Sequence, residues 1–463
     1  MTVNYYIKCP ICGTVTRMRT PAGYIYKQPV HIHCGNCNTL LTGEFICDNE
    51  RVRACFMPIN CEAVARTAEY EYDGQTSGEL LSHKIAYVPE DMRNGMPLTF
   101  SPAMEVAFQL GQENMRKYIG YATKLEKVQA NWAKERILFD LFFDAKFDLI
   151  IKNYATEAEK TGYTLHSEYD ILRYVHYRWF NLVSGIFKPS TLNDRLRTIN
   201  SEFYHLDKNA VKKFCHDYCQ SNNLLSIQKR LFKIFDDFLN ICLYIMPAIS
   251  TRYYLQDYSE DEHKGLSTCT FDDIKNFYLN SFETLADLSV IVKALDNIKY
   301  RGDYDNFSED LNFNSLLRLT NGKKIKTLNK EEFFSQNFNL ADSSNRLRNA
   351  IGHNDYDYNG FTQTIKYHSD KAHPEREETA SLLSVAINCI EQMESAMILS
   401  FLLFELIRIE RYEDLETKPL HPMFYFRIHG DNHCPCGSGK KYKKCCREYI
   451  QNNAKAFKNL DIL

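Results

Sequence analysis

The sequence predicts a mainly α-helical chain: a helical bundle flanked by a small cysteine-bearing β module before it and a compact cysteine knuckle after it. Three observations predict this. Apolar residues recur with a helical period from about Pro102 to Tyr412. Ahead of that stretch, Cys9-Pro10-Ile11-Cys12 and Cys34-Gly35-Asn36-Cys37 bracket residues that alternate apolar and polar, as a half-buried strand does. Beyond it stand Cys434-Pro435-Cys436 and Cys445-Cys446, separated by eight residues.

Bulk composition narrows the function classes. A chain of 463 residues is too long for one ordinary core. Hydrophobic content of 44% and charged content of 25% are those of a soluble globular protein. A net charge of −3 excludes a surface coated with basic residues, so any nucleic acid is met by a local patch. Met1 to Lys8 is polar and aromatic, which predicts no signal peptide. The apolar runs Phe238 to Ile249 and Ala396 to Ile409 are too short for a bilayer, and Glu405 interrupts the second, so no membrane partner is expected. Half of the 16 cysteines fall in metal-ligand spacings, which favours a reducing cytoplasm with zinc over disulfides.

Taken in order, residues 1–100 read as a zinc ribbon extended into a small β module. Each Cys-x-x-Cys turns the chain so that two thiolates face one ion, and four thiolates leave no open position for water. The expected ligands are Cys9, Cys12, Cys34 and Cys37, with Gly13 permitting the first tight turn. Tyr24, Ile25, Tyr26, Val30 and Ile32 supply the strand pattern between them, and His31 and His33 read as strand surface. Asp73-Gly74, Ser77-Gly78 and Asn94-Gly95 mark turns, and Pro89, Pro97 and Pro102 break any helix. Cys47, Cys55 and Cys61 lack a paired spacing and read as small buried hydrophobes.

Residues 101–415 read as the helical domain. One long helix or a pair covers Met104 to Phe147, followed by helices over Tyr169 to Ile186, Ala210 to Gln220 and Leu224 to Met246, the last stopped by Pro247. Cys215 and Cys219 lie one turn apart on their helix and read as core cysteines. After an acidic loop at Ser259-Glu260-Asp261-Glu262, a helix spans Phe271 to Leu295. Lys299 to Lys330 is polar, and its Lys323-Lys324-Ile325-Lys326 run reads as a solvated loop, with contact to RNA phosphates as the alternative. Glu331 to Phe338 is short and amphipathic. Phe361 to Tyr367 alternates like a strand or hairpin arm, and Glu375 to Tyr412 is the longest predicted helix, amphipathic and suited to the bundle core or a dimer face. Residues 416–432 read as a linker, 433–450 as the C-terminal knuckle and 451–463 as a tail.

Within the helical domain, Arg348-Asn349-Ala350-Ile351-Gly352-His353 follows a polar helix start at Asp342-Ser343-Ser344-Asn345. In a helix Asn349 and His353 share a face, and Arg348 lies about 140° round from His353, within reach of a common anion. Gly352 leaves room for a close approach. A fixed cation, an amide and an imidazole are the groups needed to cut a phosphodiester without a metal. These residues resemble the signature of the HEPN family: Arg, a polar residue, a short spacer, then His. The resemblance implies a helical bundle that dimerises, and a metal-independent endoribonuclease with Arg348, Asn349 and His353 at its centre. It further implies 2′,3′-cyclic phosphate products and, by analogy, a place in stress response or antiviral defence. A non-catalytic HEPN-like adaptor is the alternative.

The C-terminal stretch His433-Cys434-Pro435-Cys436-Gly437-Ser438-Gly439-Lys440-Lys441-Tyr442-Lys443-Lys444-Cys445-Cys446 resembles the SEC-C motif, which implies a second structural zinc on Cys434, Cys436, Cys445 and Cys446. Lys440, Lys441, Lys443, Lys444 and Arg447 crowd one small loop and suit an anionic partner such as RNA, a ribosome or an acidic protein face. The cysteine spacings thus predict two structural zinc ions and a cytoplasmic protein, and the resemblances imply RNA as substrate, recruitment through the zinc modules and a homodimer.

Overall fold

A computed structural model describes residues 2–21, 25–48, 53–65, 77–80, 102–161, 163–184, 189–254, 265–308, 311–340, 342–368, 377–412, 429–434 and 440–448. Short strands come first: β1 (Thr2–Lys8), β2 (Val15–Pro21), β3 (Lys27–His33), β4 (Leu40–Asp48), β5 (Arg53–Pro58), β6 (Glu62–Val64) and β7 (Ser77–Leu80). Helices follow: α1 (Pro102–Phe143), α2 (Phe147–Lys160), α3 (Glu168–Ser184), α4 (Pro189–His205), α5 (Lys208–Cys219), α6 (Leu224–Ile241) and α7 (Met246–Tyr254). Next are α8 (Phe271–Arg301), α9 (Phe313–Arg318), α10 (Asn321–Lys326), α11 (Phe333–Gln336) and α12 (Asp342–Gly352). The sequence then forms β8 (Tyr356–Asn359), β9 (Thr364–His368) and β10 (Glu377–Ser381), and closes the helical region with α13 (Leu382–Tyr412). The chain is mainly helical, and among the described residues no helix is long and apolar enough to cross a membrane.

Two compact units share the chain, and several helices contribute residues to both. The first holds residues 1–129, 236–282 and 343–391. Its N-terminal part is two small sheets, ordered β6-β1-β2-β7 and β3-β4-β5. Strands β3 and β4 alternate buried and half-exposed residues, the period of a strand with one face on a core. Ile7, Met18, Val30, Ile32, Leu41, Phe45 and Phe56 form that core, and the thiols of Cys9 and Cys34 border it. The same unit contains a third sheet, β10-β9-β8, directly after α12. Its central strand buries Ile365 and Tyr367.

The second unit holds residues 130–235, 283–342 and 392–463. Trp132, Phe139, Trp179, Phe232 and Phe235 form an aromatic cluster there, with Trp179 edge-on to Phe235 at 4.9 Å. Within it, residues 392–409 of α13 are buried on every side rather than along one stripe, so the polar residues there are shielded from water. They are paired instead: Arg195 with Glu394 at 3.1 Å, Gln228 Nε2 donating to Ser400 Oγ at 3.0 Å, and Tyr204 donating to Glu405 at 2.8 Å. Arg408 completes the last group, 2.5 Å from Glu405. Buried charges survive only when paired in this way.

Several expectations are corrected. Ser77-Gly78 is not a turn but the start of β7, parallel to β2. α1 is a pair of helices joined at a non-helical Gly111 (φ 71°, ψ 166°), as the sequence allows; α13 is shorter than Glu375 to Tyr412, with 31 residues, because Glu377–Ser381 pairs as a strand. Pro247 does not end α6; it lies in the first turn of α7, where its missing N–H costs nothing. The lysine run is not a solvated loop. It forms α10, with Lys324 buried and 2.7 Å from Asp287. Of the unpaired cysteines Cys47 is buried, while Cys55 and Cys61 are half-exposed. The turns at Asp73-Gly74 and Asn94-Gly95, Tyr24, Pro89, Pro97 and the acidic loop at 259–262 lie outside the described residues.

Candidate functional site

Three places carry the predicted chemistry. The first is the pair of N-terminal knuckles. Each Cys-x-x-Cys sits at the tip of a β-hairpin: Lys8 faces Val15 across one, and His33 faces Leu40 across the other. The two tips repeat one backbone. Cys9 N–H donates to Thr14 O (2.9 Å) and Gly13 N–H to Cys9 O (3.0 Å). In the second, Cys34 N–H donates to Thr39 O (2.9 Å) and Asn38 N–H to Cys34 O (3.0 Å). Gly13 (φ 74°) and Asn38 (φ 61°) occupy the same left-handed position, which only glycine and, less readily, asparagine adopt at low cost.

This geometry brings all four sulfurs within 4.8 Å of one another. Cys9 Sγ is 3.5 Å from Cys37 Sγ, and Cys12 Sγ is 3.5 Å from Cys34 Sγ. Tetrahedral zinc with bonds of about 2.3 Å sets its sulfurs about 3.8 Å apart, so the donor set and spacing fit the ion. Cys9 and Cys34 are buried; Cys12 and Cys37 face solvent. A threonine serves each exposed sulfur, with Thr14 Oγ1 3.3 Å from Cys12 and Thr39 Oγ1 3.1 Å from Cys37. The Thr14 side chain and N–H bring Cys12 down to about 5, and those of Thr39 lower Cys37. Burial pushes Cys34 up to about 12. Sequence reasoning missed both threonines. Their signal was present, since Cys-x-x-Cys-[Gly or Asn]-Thr occurs twice.

His31 is not strand surface. Its N–H donates to Ser267 O (2.8 Å), its Nδ1 lies 3.1 Å from Thr268 O, and its Nε2 lies 3.6 Å from Asp273. Burial lowers its pKa, against the opposing pull of Asp273. His33 is half-exposed, with Nδ1 3.0 Å from Asn38 O.

The second place is the C-terminal knuckle. Cys434, Cys445 and Cys446 bring their sulfurs within 4.8 Å, and Cys445 Sγ is 3.7 Å from Cys446 Sγ. A bridge between His433 and Lys441 closes the loop, and a 3-10 turn at Tyr442–Lys444 returns the chain to Cys434. The expected fourth ligand, Cys436, lies outside the described residues. Lys440, Lys441, Lys443, Lys444 and Arg447 are all exposed. Asp431 lies 2.7 Å from Lys443 and 3.1 Å from Lys441, which hold its carboxyl below the usual carboxylate range. Among the described residues, only these two cysteine groups gather three or more metal-ligating side chains; Cys215 is buried in the core, with its thiol pushed up by desolvation.

The third place is the end of α12. Leu347, Ala350 and Ile351 are buried at helical spacing and fix the helix by one face. Arg348 and Asn349 are half-buried, whereas Gly352 and His353 are exposed. Arg348 Nη1 donates to Asn349 Oδ1 at 2.6 Å, so the cation and amide are already together. Partial burial lowers the Arg348 pKa. His353 is the C-cap. Asn354 N–H donates to Ile351 O (3.0 Å) and Asp355 N–H to Ala350 O (2.8 Å), the paired bonds of a Schellman motif. The left-handed residue is Asn354 (φ 55°), not Gly352. A Cβ at Gly352 would meet nothing within 4 Å, so the surface between Arg348 and His353 is open. Arg346, two residues earlier, is 3.0 Å from Glu378 of β10 and is neutralised there.

Among known families, the SEC-C motif matches residues 433–448, the C-terminal knuckle alone. No curated protein matches the chain, and no solved structure matches it.

Proposed function

We propose that this chain is a metal-independent RNA endonuclease of the HEPN type, with its cleavage centre at the exposed end of α12 and structural zinc in the two cysteine sites. One observation carries the reading. A guanidinium and an amide are preassembled on an anchored helix, beside an exposed imidazole at a capped helix end with open space between them. A phosphodiester needs that access. A pair serving only the helix would be covered by it.

The chemistry follows from the groups. The ribose 2′-OH attacks the adjacent phosphorus and gives its proton to a base; the O2′–P bond forms, the P–O5′ bond breaks, and O5′ leaves with a proton. His353 supplies the imidazole that serves as base or acid. Arg348 clamps the phosphate oxygens through its fork of N–H donors and stabilises their growing charge. Asn349 keeps Arg348 aimed until the anion takes its place. In a homodimer, two such helix ends facing one another supply the base and the acid together.

Incubating the protein with total cellular RNA in excess EDTA tests the reading, because structural zinc exchanges slowly over a short assay. Fragments should carry 2′,3′-cyclic phosphate and 5′-OH ends. Absence of cleavage at dimer-forming concentrations would turn the assignment to a non-catalytic adaptor. The C-terminal knuckle is assigned to recruitment of an anionic partner, since its lysines and Arg447 are exposed together on one small loop. Deleting residues from His433 onward should therefore spare cleavage of a short synthetic RNA and weaken retention on ribosomes or long RNA. Lost cleavage of the short RNA by the folded truncation would place the knuckle in the cleavage centre.

A further inference from the structure

The hairpin that follows His353 touches the second cysteine knuckle. Gly360 stands at the end of β8, and a Cβ built there would lie 2.8 Å from both Cε1 and Nε2 of the His33 ring. That ring is not free to yield. Its Nδ1 lies 3.0 Å from the carbonyl of Asn38, the left-handed residue that closes the knuckle. Asn38 in turn donates to Cys34 O and stands between Cys37 and the threonine that serves its sulfur.

A second connection runs through the segment ahead of α8. His31 holds Ser267, Thr268 and Asp273 from the ribbon side. From the hairpin side, Gln363 grips Leu266 by both amide atoms, accepting from its N–H and donating to its carbonyl, each at 2.7 Å. Gln363 does so from a left-handed backbone (φ 53°), an arrangement that costs about 1 kcal/mol or more and persists only where its surroundings enforce it. Phe271 adds ring contacts to Tyr356 at 5.4 Å and Tyr358 at 5.6 Å. Tyr356 begins one residue after Asp355, whose N–H closes the Schellman cap at His353.

We infer that the four-cysteine site is coupled to the end of α12: through His33 and Gly360 directly, and through His31, residues 266–273 and Gln363 in parallel. His33 and Gly360 are then positioning residues for His353, and metal in the N-terminal site holds the helix end in place without touching it. The coupling concerns what holds the motif and stands whether or not the motif cuts RNA. By linkage it is reciprocal: metal that orders the hairpin requires that a disturbed hairpin bind metal less well.

The test uses the full-length, zinc-loaded chain as wild type, Gly360→Ala, His33→Ala and the double variant. The backbone at Gly360 is not left-handed, so alanine disturbs only the His33 contact. Zinc affinity is measured by competition with a chromophoric chelator, and hydrogen exchange is followed across residues 353–368. Gly360→Ala should weaken one of the two zinc sites about fivefold or more, the scale of a modest coupling, and leave the other unchanged. Exchange across 353–368 should quicken by a similar factor, and stripping zinc from wild type should quicken it too, while residues 147–160 stay as they were. With the ring gone the clash is gone, so the double variant should bind zinc as His33→Ala does. Unchanged affinity in Gly360→Ala, unchanged exchange at 353–368 after zinc removal, or simple additivity in the double variant would each overturn the coupling.

Discussion

His353→Ala should cut RNA cleavage by about 10² to 10⁴, the usual worth of a positioned acid or base. Stability should barely move, because the side chain is exposed and the cap is made by backbone groups of Asn354 and Asp355. Surface changes of this kind stay within about 0.5 kcal/mol. Arg348→Ala should do comparable damage to cleavage. Arg348→Lys should rescue it poorly, since an ammonium cannot grip two phosphate oxygens with a planar fork. The decisive measurement pairs thermal unfolding with end-group analysis of fragments made by wild type and by His353→Ala. Cyclic phosphate ends from wild type alone, at matched unfolding temperatures, support the nuclease. Equal cleavage by both proteins would mean that a contaminant or another site makes the cuts.

Replacing Cys9 and Cys12 with serine should remove one zinc per chain, from about two to about one by elemental analysis, and unfold the N-terminal β module. The size of the effect follows from the size of the module. Ile7, Met18, Val30, Ile32, Leu41, Phe45 and Phe56 make a small core, and cores of this size are marginal without a staple. Structural zinc supplies about 10–16 kcal/mol in isolated finger peptides at neutral pH. Exchange protection should disappear across residues 2–64. It should persist across 147–160 and 208–219, which belong to the other unit and have their own core. Wild type purified without chelator and found free of zinc would refute both metal assignments.

The two cysteine clusters were legible because their information is local. Two residues between the cysteines of each knuckle, a hairpin strand on either side and a left-handed closing residue are all written within short windows, at Cys9 to Val15 and again at Cys34 to Leu40. The same holds for the end of α12, where Arg348, Asn349 and His353 lie within two turns and their spacing sets their angles. Helix type was legible over α3, α5, α6 and α8; α4 carries the same period at Leu192, Leu196, Ile199 and Phe203 but is not among the predicted helices. Beyond local details such as Thr14 and Thr39, what escaped was set by partners distant in sequence.

The sequence by itself determined the helical class, the cysteine spacings of the two modules and the local make-up of the motif helix, because periodicity and ligand spacing act over a few residues. Only the tertiary structure decided which faces are covered. The polar residues of α13 are satisfied by Arg195, Gln228 and Tyr204, which come from other helices. Lys324 looked solvated until Asp287 drew it into α10. His31 looked like strand surface until Thr268 and Asp273, more than 200 residues away, closed on it. A buried charge or imidazole is tolerated only with its partner in place, and a spacing rule that reads along the chain cannot supply a partner that arrives through space.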